Sequence, residues 1–188
     1  MKKVATTIAV LVCVCFFSNK SYAAVTIYMK ILKTAGVQIN GESTAKGYEN
    51  DLIITSASQS SSSPLSLSGG ASVGKVTISD FNYQTNLSSA SLPLSAIMYP
   101  GLHLYSVDIY YVNSGCSCAF YKVHMENVFI TSISEATGDE AVTQQFTLAP
   151  LQMAWAYYKQ NSSGTIPTTP TNQFSWDRST NSTWNYSF

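Results

Sequence analysis

Apolar and polar side chains alternate over residues 25–33: Val25, Ile27, Met29 and Ile31 share one parity, and Thr26, Tyr28, Lys30 and Leu32 share the other. That period-two rhythm predicts a half-buried β-strand. A Gly-containing turn region, 36–47, follows, and residues 48–55 form a second strand candidate around Leu52, Ile53 and Ile54. Residues 56–70 then hold eight Ser, one Pro and two Gly. Such a stretch has little to bury and reads as a long flexible loop rather than a strand. Residues 75–84 resume the strand pattern. There Val76 and Ile78 lie on one parity and Phe81 and Tyr83 on the other, so a bulge near Asp80 is expected to restore one buried face.

The rhythm breaks over residues 88–99. Ser88 or Ser89 is suited to cap a helix whose buried side is Leu94, Ile97 and Met98, with Pro93 tolerated only in the first turn. Pro100 and Gly101 end it. Two long alternating runs, 102–113 and 119–133, flank Ser114-Gly115-Cys116-Ser117, a span with the length and Gly content of a hairpin loop. Residues 141–148 and 151–160 read as two further strands separated by Pro150, and an irregular tail runs from residue 161. Six to eight strands and one helix, several in hairpin order, make a mainly β chain: a small antiparallel barrel or sandwich.

The first 23 residues do not belong to that pattern. Lys2 and Lys3 precede an uncharged apolar run, residues 4–17, and Ser21-Tyr22-Ala23 places small residues at −3 and −1 of a cleavage site between Ala23 and Ala24. These are the three parts of a secretory signal peptide. The run is too short for a membrane span of about 20 residues, and no later stretch approaches that length, so no membrane association is expected after cleavage. Residues 24–188 form the single expected domain.

Composition sharpens this picture. Only 11% of residues are charged, ten basic against ten acidic, while 28 Ser and 18 Thr supply much of the polarity. Cleavage removes three lysines and leaves 165 residues with a net charge of −3. So few basic residues argue against nucleic-acid binding, which needs clustered Lys and Arg. The 12% of aromatic residues argue against a disordered chain.

Candidate chemistry is sparse. Gly69-Gly70-Ala71-Ser72-Val73-Gly74-Lys75 nearly spells a phosphate-binding loop, but Val76 stands where a hydroxyl is needed and a strand follows where a helix is needed. Cys116 and Cys118 with His103 and His124 offer zinc ligands at no standard spacing. An export signal favours a disulfide between Cys116 and Cys118, which needs a turn or bulge to bring the i and i+2 positions together; an intermolecular bridge and two free thiols remain open. Asp108 with either histidine and one of many serines sketches a triad, but there is no Gly-x-Ser-x-Gly elbow. No constellation demands an enzyme, a cofactor or a metal.

The ordered elements resemble the Hcp family, the tube protein of bacterial type VI secretion. The resemblance rests on Tyr28-Met29-Lys30-Ile31 in the opening strand, Gly41-Glu42-Ser43 with Lys46-Gly47 behind it, and Asp80-Phe81-Asn82-Tyr83. It continues through Ser88-Ser89-Ala90-Ser91-Leu92-Pro93, then Tyr121-Lys122-Val123-His124-Met125-Glu126-Asn127-Val128, and Ser175-Trp176-Asp177. It implies a six-stranded antiparallel β-barrel with one short flanking helix, assembling as homo-hexameric rings that stack into a tube. It also implies that the Ser-rich loop, here 56–74 with Ser60, Ser63, Leu65 and Leu67, touches neighbouring subunits or rings. Secretion-apparatus or effector proteins would be further partners, and no catalytic residue carries over. Together with the signal peptide this describes an exported, self-assembling structural protein in the periplasm or outside the cell. The alternative is a secreted monomeric binding module or effector built on the same barrel.

Overall fold

The computed structural model describes residues 24–66, 72–114, 118–138, 141–161 and 165–188. The segment read as a signal peptide, with Ala23, lies outside these residues, as do Leu67 and Cys116.

The first strand, β1 (Val25–Thr34), forms where the alternation predicts it, and Met29 and Ile31 are fully buried. It turns through Gly36 into the short β2 (Val37–Ile39), which pairs back onto it. The Gly41-Glu42-Ser43 segment then runs beside residues 50–51: Gly41 N–H donates to Asn50 O and Ser43 N–H to Asp51 O. A Cβ on Gly41 would sit 2.5 Å from the Asp51 carbonyl oxygen, so only glycine allows this approach. The second long strand, β3 (Leu52–Ser58), begins later than predicted, because Tyr48 belongs to the preceding turn, where it stacks on Tyr28.

The described part of the Ser-rich stretch, read as a flexible loop, pairs with the residues that follow it to form a two-stranded arm. In it β4 (Ser61–Ser62) pairs with β7 (Thr77–Ile78), and β5 (Leu65–Ser66) pairs with β6 (Ser72–Val73). Backbone bonds from Gly74 N to Pro64 O and from Ser79 N to Ser60 O close the arm between these ladders. The backbone pairs even though the side chains bury little, and composition reports only on the side chains. Ser79 and Asp80 separate β7 from β8 (Phe81–Asn86), so the expected parity switch is achieved by a break in the strand.

The helix, α1 (Ser91–Met98), buries Leu94 and Ile97. Its N-cap is Ala90 and makes no side-chain cap bond, contrary to the expectation for Ser88 or Ser89. Those serines are used otherwise: Ser88 N–H donates to Ser91 Oγ, and Ser89 bonds Glu42 Oε1 and Asn40 O, tying the helix entry to the Gly-Glu-Ser turn.

The hairpin strands β9 (His103–Asn113) and β10 (Cys118–Thr137) follow, then β11 (Val142–Tyr157). Pro150 does not divide β11 as predicted. It falls where one flank of β11 changes partner, between Leu148 opposite Phe81 of β8 and Gln152 opposite Asp177 of β12 (Asn172–Asp177). Its missing N–H therefore interrupts neither ladder, and the Arg178 guanidinium bonds its carbonyl instead. The stretch from residue 161, read as irregular, thus contributes β12 and the short β13 (Ser182–Thr183). Ser179 and Thr180 donate to the Asp177 carboxylate in the connecting turn, and these bonds, Ser179 Oγ foremost, lower its pKa to about 2.

The strands pair antiparallel in the order β10-β9-β1-β3-β8-β11, and β11 pairs again with β10. The result is a closed six-stranded barrel with one short helix, as predicted. Closure removes the free edges of an open sheet. Its interior is filled by Met29, Ile54, Phe81, Val107, Met125, Phe146 and Leu148, all buried in one cluster that also takes in Leu94 and Ile97 of α1. Beyond the barrel, β12 and β13 extend the sheet from β11.

Candidate functional site

Strand alternation sends Asp108 of β9 and His124 and Glu126 of β10 to the outer face of the barrel, while Val107, Ile109, Val123 and Met125 point inward. Asp108 and His124 are register partners, and their side chains meet at 2.5 Å between Oδ1 and Nδ1. The second ring nitrogen, Nε2, lies 3.3 Å from Glu126 Oε1. Burial opposes charging His124, but the hydrogen bonds and charges of Asp108 and Glu126 outweigh it and raise its pKa above 6.5. The structure therefore unites two members of the sketched triad and cancels its chemistry. Both ring nitrogens face carboxylates, Asp108 at one and Glu126 at the other, so neither is aimed at a serine hydroxyl.

A strap covers this ion cluster. Trp184, Tyr186 and Phe188 are half-buried and alternate with exposed Asn185 and Ser187. Tyr186 lies on the imidazole with centroids 4.3 Å apart and planes 10° apart, and Trp184 stacks at 6.1 Å. Burial, joined by the negative charges of Asp108 and Glu126, pushes the Tyr186 phenol up to about 12. The strap is tied to β12 by bonds from Trp184 N–H to Ser175 O and from Ser175 Oγ to Trp184 O. Its period-two aromatic pattern was open to sequence reading and was missed because the tail was taken as irregular.

The imagined zinc set is dispersed. His103 pairs with Phe129 and Cys118 with Asn113, at opposite ends of the β9–β10 hairpin, about 33 Å apart at ~3.3 Å per residue. Among the described residues no group of His, Cys, Asp or Glu is placed to hold a metal. Cys118 is disulfide-bonded, and its partner lies outside the described residues.

The outer side of α1 is the largest departure from ordinary surface chemistry. Leu92, Ala96 and Tyr99, at i, i+4 and i+7, form an exposed stripe, with Leu92 and Tyr99 each 80% accessible. No acidic residue occupies the first turn and no basic residue the last. With Leu94 and Ile97 buried on the opposite side, the helix is apolar on both faces, a pattern that belongs to covered helices. Beside it Leu102, His103 and Tyr105 line a groove of about 270 Å³ with Lys33. The i, i+4, i+7 spacing of these residues is visible in the sequence, beside the buried side of Leu94 and Ile97.

The proposed contact residues of the loop lie on the arm. Ser60 is held through its backbone to Ser79, Ser63 Oγ donates to Gly74 O, and Leu65 is 62% accessible. Ala24, on the far side of the expected cleavage, is exposed, and its carbonyl accepts from Ser114 N–H.

Comparison with known proteins follows from this geometry. A family model described as the type VI secretion system effector Hcp matches residues 28–157. No curated protein matches the chain in sequence. The fold is similar to that of a solved type six secretion system protein, with TM-score 0.76 and 18% identity over 85% of this chain and 99% of that one. It is similar also to Hcp1 from Salmonella typhimurium, with TM-score 0.67 and 17% identity over 86% of this chain and 99% of that one. Hcp1 from the E. coli EAEC 042 pathovar gives TM-score 0.67 and 17% identity over 82% of this chain and 99% of that one.

Proposed function

The chain belongs to the Hcp family of type VI secretion, and from that premise we propose that it is an exported structural protein that self-assembles into hexameric rings or tubes. The observation that carries self-assembly is α1: a helix without charge, apolar on both faces, with Leu92 and Tyr99 presented to solvent. Exposed apolar patches of this kind mark association surfaces. Leu65 on the arm supplies a second projecting apolar contact, in the segment expected to reach neighbouring subunits or rings.

Export rests on the signal-peptide pattern of residues 1–23 and places the mature chain in the periplasm or outside the cell. A Cys116–Cys118 bridge in the β9–β10 loop fits such an oxidising location. The role is structural rather than enzymatic on the family reading, and Asp108, His124 and Glu126 form a charge cluster beneath the strap. Secretion-apparatus or effector proteins are the partners the family reading adds.

Sedimentation of the mature chain from Ala24, with negative-stain microscopy, tests the proposal. Rings or a hexamer-sized species support it. A monomer at micromolar concentration rejects it in favour of a secreted monomeric module on the same barrel.

A further inference from the structure

Outside the closed barrel, β12 carries Phe174 and Trp176 on the face continuous with the barrel interior, because they are register partners of the inward residues Trp155 and Met153. The rings form a row. Phe81 and Trp155 lie 6.5 Å apart with planes 29° apart, Trp155 and Phe174 5.7 Å and 16°, and Phe174 and Trp176 6.1 Å and 25°. Among the described residues, Trp176 has Phe174 as its sole ring neighbour, so the row ends with one indole face free of a ring partner. Phe174 is 53% accessible, so the row presents an exposed ring to solvent.

Two clefts meet at this row. One, of about 340 Å³, lies between the row and the arm, where Gln59 and Ser61 form the polar wall. The other, of about 300 Å³, borders the far side and includes Lys75, Thr77, Arg178 and Asn181. They share Val76, Ile78 and Trp176, so they are halves of one open channel with the indole between them. Arg178 is neutralised by Asp80 at 3.1 Å, which leaves Lys75 as the channel's one cation without an ion-pair partner among the described residues.

We propose that this channel binds a carbohydrate, an oligosaccharide of neutral pyranose rings that stacks on Trp176 and Phe174. A pyranose presents a flat face of C–H groups and a rim of hydroxyls. The ring row removes the first from water, and the amides, hydroxyls and cations of the two walls bond the second. The alternatives fit less well. A nucleic-acid strand needs a run of basic residues along its path. A wholly apolar ligand offers no partner to the Ser61 hydroxyl and the Asn181 amide that it would cover, at a penalty. The channel does not use the α1 stripe, although it lies beside the arm, which the self-assembly reading also draws on.

Two of the three tryptophans, Trp155 and Trp176, line the channel, so intrinsic emission reports its occupancy. The test is titration of the mature protein with cellotetraose, maltotetraose and tetra-N-acetylchitotetraose, followed by fluorescence and calorimetry. At least one is expected to bind saturably, with a Kd of roughly 0.1–1 mM. Trp176→Ala and Phe174→Ala are expected to weaken it about tenfold or more, while Trp184→Phe leaves it unchanged. Circular dichroism and melting of Phe174→Ala, a change at an exposed position, separate lost binding from lost folding. The inference is overturned if none of the three sugars binds, or if binding survives both substitutions.

Discussion

The imidazole of His124 lies flat against the ring of Tyr186, centroids 4.3 Å apart, while Asp108 and Glu126 hold its two nitrogens. A charged ring in this position fastens the strap to the barrel by cation–π contact as well as by burial. Because the folded-state pKa is raised above 6.5, the contribution is complete below that value and is lost as pH climbs through the raised one. Melting temperature should therefore fall over that interval. Asp108→Asn should lower stability at acid pH and flatten the profile. A wild-type curve without this decline removes the latch.

Asp51 behaves in the opposite sense as a partner. Its carboxyl is buried, and desolvation, partly relieved by the Gln38 amide bond and Lys30, raises its pKa. The ionised form thus costs stability as pH rises through the carboxylate range. Asp51→Asn keeps an oxygen for Gln38 and removes the charge. It should raise the melting temperature at neutral pH by about 2–4 °C for a gain on the order of 1 kcal/mol, with the advantage vanishing near pH 4.

Gly41→Ala should be strongly destabilising, because the new methyl meets backbone at 2.5 Å from Asp51 O and 2.7 Å from Leu52 Cα. The turn can only separate, losing the Gly41–Asn50 bond. A cost of about 3 kcal/mol or more in denaturant unfolding is expected, from overpacking and lost hydrogen bonding. By contrast Gly47→Ala meets no atom within 4 Å, and its penalty should be confined to its positive φ of 86°.

The barrel was legible wherever alternation is strict. Met29, Ile31, Val107 and Ile109 sit inside as their parity requires, because one buried face fixes register. Legibility failed where backbone pairing proceeds without buried side chains, as in the arm, and where Pro150 reads as a stop although it falls between the β8 and β12 ladders on one flank and opposite Val128 of β10 on the other. It failed again at Asp108 and His124, and at Glu126, which the sketched triad did not include. The first two suggested catalysis by residue type, and only the register showed a carboxylate on each side of the ring. The channel of Trp155, Phe174 and Trp176 was invisible for a related reason: it needs β12 beside β11, a pairing between segments that the tail's turn-rich composition disguised.

The α1 stripe permits the most direct separation of fold from assembly. Leu92 and Tyr99 are each 80% accessible, so replacing either by Asp removes no core contact and should change monomer stability by no more than about 0.5 kcal/mol. The same change puts a charge into any interface that covers the helix, where an unpaired buried charge costs several kcal/mol. The Leu92→Asp, Tyr99→Asp double variant should therefore keep the wild-type circular dichroism and melting curve yet sediment as a smaller species. Leu94→Asp, aimed at a fully buried position of the same helix, should instead fail to fold. If the double variant assembles as the wild type does, the helix face is not the contact, and the arm around Leu65 becomes the surface to alter.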